Sequence, residues 1–155
     1  MSSPVRRYVF MEYSALDWAT IKKIEKISEK IFVFVPTQIQ QIPFEVVQAV
    51  QKIGKRLKWM LIDGHENAFT SSHIAFIMGK WHERAPLDVE FAIISETDIY
   101  DNFVLFINNM GRKCMRVNTK NDESPDLENE AHEHLNPHEA KDEFYSFSIH
   151  SAPVI

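Results

Sequence analysis

Five short runs of β-branched, aromatic and other apolar residues punctuate the first 117 residues, at Tyr8–Met11, Ile31–Val35, Leu57–Ile62, Val89–Ile94 and Lys113–Val117. Between each run and the next lies a segment with the period of a helix. Ile21, Ile24 and Ile27 form the first stripe and Val46, Val47, Val50 and Ile53 the second. Ile74, Ile77, Met78 and Trp81 form the third, and Tyr100, Phe103, Val104 and Ile107 the fourth, both at i, i+3, i+4 and i+7, the spacing that gathers side chains on one helical face. Strict alternation of strand and helix requires a parallel sheet joined by right-handed crossovers, with helices on both faces. The uninterrupted apolar run IFVFV at 31–35 fits a strand covered on both sides. The expected fold class is therefore α/β, a three-layer α/β/α sandwich around a five-stranded parallel sheet.

Local signals give the expected boundaries. Ser14 and Asp17 have capping-box spacing before the first helix, and Pro43 suits the first turn of the second, which Gly54 stops. Ser71 or Ser72 is expected to cap the third.

With 155 residues and 45% hydrophobic composition, the chain suffices for one compact domain and a tail. Residues 1–117 carry 15 Lys/Arg against 13 Asp/Glu, whereas residues 118–155 carry 2 against 9. The first is a mildly basic domain, and the second an acidic tail that reads as a solvated extension or as a phosphate mimic lying in a basic groove. Near the end, Tyr145, Phe147 and Ile149 alternate with Ser146, Ser148 and His150. That period suits an added strand at 143–150, placed on the parent sheet edge or on a neighbouring subunit. The lone Cys114 excludes an intrachain disulfide and a cysteine-based zinc site. A cytoplasmic setting is expected, because no signal-peptide pattern precedes the first strand and no apolar stretch approaches a membrane span. The dinucleotide and P-loop glycine motifs are absent, which removes those two nucleotide-binding classes.

In a parallel sheet all strands end at one rim, and ligands of open α/β folds bind there. Glu12 follows the first strand, Asp63 and Glu66 the third, and Glu96, Asp98 and Asp101 the fourth. Carboxylates brought together raise one another's pKa unless a cation compensates, so their convergence points to a divalent metal. The competing reading is ordinary helix-start chemistry, since Asp and Glu favour helix N-termini through the dipole.

The pieces YVFMEYSAL, IFVFVPTQIQQIP, ENAF with HIAFIMGKW, and FAIISETDIYDNFVLFINNMGRKCMRV together resemble a PIN-like domain of the NYN/PIN-like nuclease superfamily, over nearly all of 1–117. The resemblance implies an Mg²⁺- or Mn²⁺-dependent ribonuclease whose metal sits on about four acidic residues. Such relatives carry D-Y-E-N after the first strand, N-A-L-D-F-H-I-A at the third helix and S-x-D-x-x-F-D after the fourth strand. Here Glu12 stands at the first Asp, and Ser14 and Ala15 replace the Glu-Asn pair. Asn67, Ala68 and His73 remain in the third-helix motif, but Thr70 or Ser71 replaces its Asp. Ser95 and Asp101 match the last motif, while Thr97 falls on its first Asp and Asp98 stands one step out of register.

Neutral oxygens in place of carboxylates remove whole charges from a hard-cation site. The expectation is a catalytically degenerate nuclease acting as an RNA- or protein-binding module, with Asn67, Thr70, Ser71, Ser95 and Thr97 on the binding rim. The alternative is a metal-dependent endoribonuclease with a rearranged site of Glu12, Asp98 and Asp101, joined by Glu66. Partners consistent with the resemblance are RNA and, through the C-terminal segment, a homodimer or another protein. His65 and His73 invite an acid/base role, though His73 reads better as a packing or capping residue, and the tail histidines His132, His134 and His138 make an irregular, weak metal tract. Trp18, Trp59 and Trp81 read as core or interface residues. Arg6, Arg7, Lys55, Arg56, Lys58, Lys113 and Arg116 are candidates for phosphate contact, or simply for solvation.

Overall fold

The computed structural model describes residues 4–63 and 67–119, and of residues 67–69 the backbone only. Nine principal elements alternate as expected: β1 (Arg7–Glu12), α1 (Trp18–Ile27), β2 (Lys30–Pro36), α2 (Phe44–Ile53), β3 (Leu57–Ile62), α3 (Asn67–Arg84), β4 (Glu90–Ile94), α4 (Asp101–Asn109) and β5 (Cys114–Val117). The strands form one parallel sheet in the order β3-β2-β1-β4-β5. The chain winds outward from β1 through β2 to β3, then returns to β4 and β5 on the other side. The direction of winding therefore reverses between β1 and β4.

Side-chain alternation sorts the two faces by chemistry. Tyr8 and Phe10 of β1 join Phe32, Phe34, Phe91 and Ile93 in an aromatic layer, packed by Ile74 and Met78 of α3 and Ile107 of α4. Val9 and Met11 join Ile31, Val33, Val35, Ala92 and Ile94 in an aliphatic layer, packed by Ile21 and Ile24 of α1 and Val46, Ala49 and Ile53 of α2. Phe10 stacks on Phe32 and meets Phe91 edge-on, both with centroids 5.1 Å apart, a favourable geometry for paired rings. Trp81 is half-buried against Tyr8 at 5.4 Å, with the Lys30 ammonium over its face. Trp18 and Trp59 are partly exposed, at 46% and 37%. Burial pushes the Cys114 thiol up to about 12, so it is a packing residue and not a nucleophile.

Two helix starts differ from expectation. Asp17 itself caps α1, its Oδ1 accepting from the Thr20 N–H at 2.6 Å; Ser14 lies in a short 3-10 turn before it. The third helix begins at Asn67, so Ser71 and Ser72 lie inside it and do not cap it. Four polar residues at 70–73 look like a loop in isolation, but packing of Ile74 and Met78 extends the helix through them. At the end of α2, Gly54 adopts φ +63° while its N–H bonds the Val50 carbonyl, a conformation available to Gly at low cost.

Buried Arg112 fastens the turn from α3 into β4. Its guanidinium donates to the backbone carbonyls of His82, Ala85, Pro86 and Val89 at 2.6–3.1 Å and to His82 Nδ1 at 3.0 Å. The cation takes up carbonyls that the end of α3 leaves without intrahelical partners. It also lies 4.4 Å from the Phe91 ring centre. Burial draws its pKa below the ordinary arginine value, yet the ring of carbonyls offsets the desolvation.

Candidate functional site

The crevice at the winding reversal is framed by the carboxyl ends of β1 and β4, where this topology places a ligand site. Met11 pairs with Ile94, which sets the next residues, Glu12 and Ser95, side by side at the rim. The Ser95 hydroxyl, fully buried, donates to Glu12 Oε2 at 2.7 Å and accepts from the Thr97 N–H at 3.2 Å. The Tyr100 hydroxyl donates to Glu12 Oε1 at 2.6 Å. Each carboxylate oxygen thus receives a short, charge-assisted bond. Tyr100 is buried, and burial together with the adjacent carboxylate drives its pKa far above the ordinary phenol value. It remains a donor across the working pH range.

Beside this triangle, Arg116 of β5 binds Asp101 at the start of α4 through both carboxylate oxygens, at 2.5 and 3.3 Å. The bond to Asp101 holds the Arg116 pKa above its ordinary value. Arg116 also reaches the Ser95 carbonyl at 3.4 Å, linking the two clusters. Thr97 Oγ1 accepts from the Ile99 N–H at 3.3 Å and caps the 3-10 turn Asp98–Tyr100. Asp98 and Asp63 are exposed.

The structure therefore brings together Glu12, Ser95, Thr97 and Asp101 of the sequence-based candidates, with Asp98 at the exposed margin. Thr70 and Ser71 lie half-buried within the early turns of α3, and Asn67 is its first residue. Glu66 and His65 lie outside the described residues. Two participants were read otherwise from sequence. In the sequence Tyr100 belongs to the apolar stripe of the fourth helix and Arg116 to the phosphate-contact candidates. A buried tyrosine hydroxyl requires a hydrogen-bond partner, and that requirement was the available signal. In the S-x-D-x-x-F-D motif, moreover, Tyr100 falls on the Phe; its added hydroxyl meets the longer reach of Glu12 in place of Asp.

The donor set does not fit a divalent cation as it stands. Both Glu12 oxygens are bonded to hydroxyls and both Asp101 oxygens to a guanidinium. Among the described residues, no three His, Cys, Asp or Glu side chains group closely enough to hold a metal ion.

A five-stranded parallel sheet covered by helices on both faces, with its winding reversed between β1 and β4, defines the class as a doubly wound α/β fold. The particular family is the PIN domain: its model matches residues 6–117, and the chain belongs to it. Neither a curated protein nor a solved structure matches the chain. No helix among the described residues is long and apolar enough to cross a membrane.

Proposed function

We propose that this PIN-domain protein is a catalytically degenerate nuclease that works as an RNA- or protein-binding module through the carboxyl rim, in a cytoplasmic setting. The observation that carries the reading is the satisfaction of Glu12 by Ser95 and Tyr100. PIN domains as a class depend on divalent metal, and here the carboxylate at the first acidic position of the motif has become part of a hydrogen-bonded scaffold. The pairing of Asp101 with Arg116 removes a second carboxylate in the same way.

Between the two ligand classes, charge favours a protein. Of the seven cations that could meet phosphate, Arg6, Arg7, Lys113 and Arg116 pair with carboxylates and Arg56 is bonded to backbone carbonyls. The rim itself exposes Asp63 and Asp98. A surface of that sign repels a polyanion and suits a basic partner. Binding of single-stranded RNA by the full chain is expected to be weak and strongly salt-dependent, with no cleavage in Mg²⁺ or Mn²⁺. Calorimetric titration with Mn²⁺ is expected to show no micromolar site.

A second reading is favoured by the shared position of Glu12, Asp98 and Asp101 at one rim: a divalent-metal-dependent endoribonuclease with these as ligands and Glu66 as a fourth. Mn²⁺-dependent RNA cleavage that disappears in Asp101→Asn would establish it and overturn the first. Through residues 143–150 the same rim-binding protein would pair with a second copy or with another protein.

A further inference from the structure

We propose that residues 142–150 of the same chain dock on the outer edge of β3 as a sixth strand. Within the described sheet β3 pairs only with β2. The Ile62 carbonyl accepts from the Thr37 N–H at 3.0 Å, so alternation directs the main-chain groups of Lys58, Met60 and Ile62 toward β2. Those of Leu57, Trp59 and Leu61 face outward, as a template for another strand.

On the aliphatic face of this edge the side chains, Leu57, Trp59 and Leu61, are apolar where an unprotected edge is normally charged. Trp59 is 37% and Leu61 72% exposed, both on the aliphatic face of the sheet beside Val33 and Val35. At the amino end of β3 stand exposed Lys55 and Lys58, with Arg56, whose guanidinium is bonded, among the described residues, to the neutral carbonyls of Glu25 and Ser28. The opposite edge offers less: in β5 Cys114 is buried and Met115, Arg116 and Val117 are half-buried.

The occupant is chosen by sequence, length and charge. Residues 142–150 read DEFYSFSIH and lie outside the described residues. Laid parallel to β3, Asp142 and Glu143 meet Lys55, Arg56 and Lys58, while Tyr145, Phe147 and Ile149 continue the face of Trp59 and Leu61. The chain leaves β5 at the far side of the sheet, about 20 Å from β3 at a strand spacing of roughly 4.8 Å. Residues 118–141 span up to about 80 Å when extended, enough to cross either helix layer.

Amide hydrogen exchange on the full chain tests the docking, with Ser146→Pro as the probe. In a parallel pair the residues that share the face of Trp59 and Leu61 turn their own N–H groups away from β3. The donors to its outward carbonyls are therefore the intervening residues, and Ser146 lies at the centre of the segment. The expected result is exchange of the Trp59 and Leu61 amides at least ~10-fold faster in the variant, with Val9 and Phe10 unchanged as evidence of an intact core. Sedimentation of the unsubstituted protein is expected to show a monomer at all concentrations. Equal exchange rates in the two proteins would overturn the proposal. Protection that grows with protein concentration alongside a dimer would also overturn it, by assigning the edge to a second copy.

Discussion

The two rims of the sheet solve the same electrostatic problem in different ways. At the amino rim, Glu90 lies between Arg7 and Lys113 at 2.8 and 2.6 Å, and Arg6 holds Glu29 at 2.7 Å with Asp88 at 3.6 Å. Carboxylates there are answered by cations. At the carboxyl rim Asp101 is paired with Arg116, while Glu12 is held by neutral hydroxyls and Asp63 and Asp98 are exposed. Buried opposite charges make a rim rigid and electrically quiet; hydroxyls hold a carboxylate in place without cancelling it. The amino rim is thus built as structure, and the carboxyl rim keeps more of its negative field.

The strongest way to break this contrast is at Arg112, which fastens the amino-rim turn between α3 and β4. Arg112→Met strips the guanidinium from four buried or part-buried carbonyls, of which Pro86 keeps the Val89 N–H, with an expected loss of about 5 kcal/mol in urea unfolding. Next comes Glu90→Gln, which strands the buried Arg7 and is expected to cost about 3 kcal/mol. Burial works to raise the Glu90 pKa, but the hydrogen bonds and charges of Lys113 and Arg7 outweigh it and hold the carboxyl below its ordinary value of 4.5. Its stabilisation is therefore fully present above that ordinary value and lost as pH falls through the lower folded one. Glu29, lowered chiefly by its bond from Arg6, acts in the same sense. The acid limb of the stability curve below about pH 4.5 should flatten in Glu90→Gln without vanishing. The smallest effect belongs to the other rim: Tyr100→Phe removes one bond to a partly exposed carboxylate, an expected cost of about 1–2 kcal/mol in the same assay. A loss at Tyr100 equal to that at Glu90 would erase the distinction between the rims.

Fold and site differed in how far they could be read in advance. Five strands, four helices, the parallel sheet and the helix stripes followed from periodicity, because burial on one face writes a repeating pattern that needs no partner to be known. PIN-like resemblance was likewise legible in ordered motifs, and the family match covers residues 6–117. The site was legible as a rim of acids but not as a set of bonds. Glu12 and Ser95 are distant in sequence and adjacent in space, and no local pattern encodes that pairing. Tyr100 kept its stripe position, and its hydroxyl was silent until β1 stood beside it. The capping serines of α3 failed for the converse reason, since tertiary packing overrode a local preference.

The sequence by itself thus determined the order of elements, the two-faced core and the candidate acids, since each follows from spacing along one chain. Tertiary structure alone decided strand order, the reversal between β1 and β4, and which donors each carboxylate meets. Hydrogen bonds act over about 3 Å, and only the folded chain says which groups come that close.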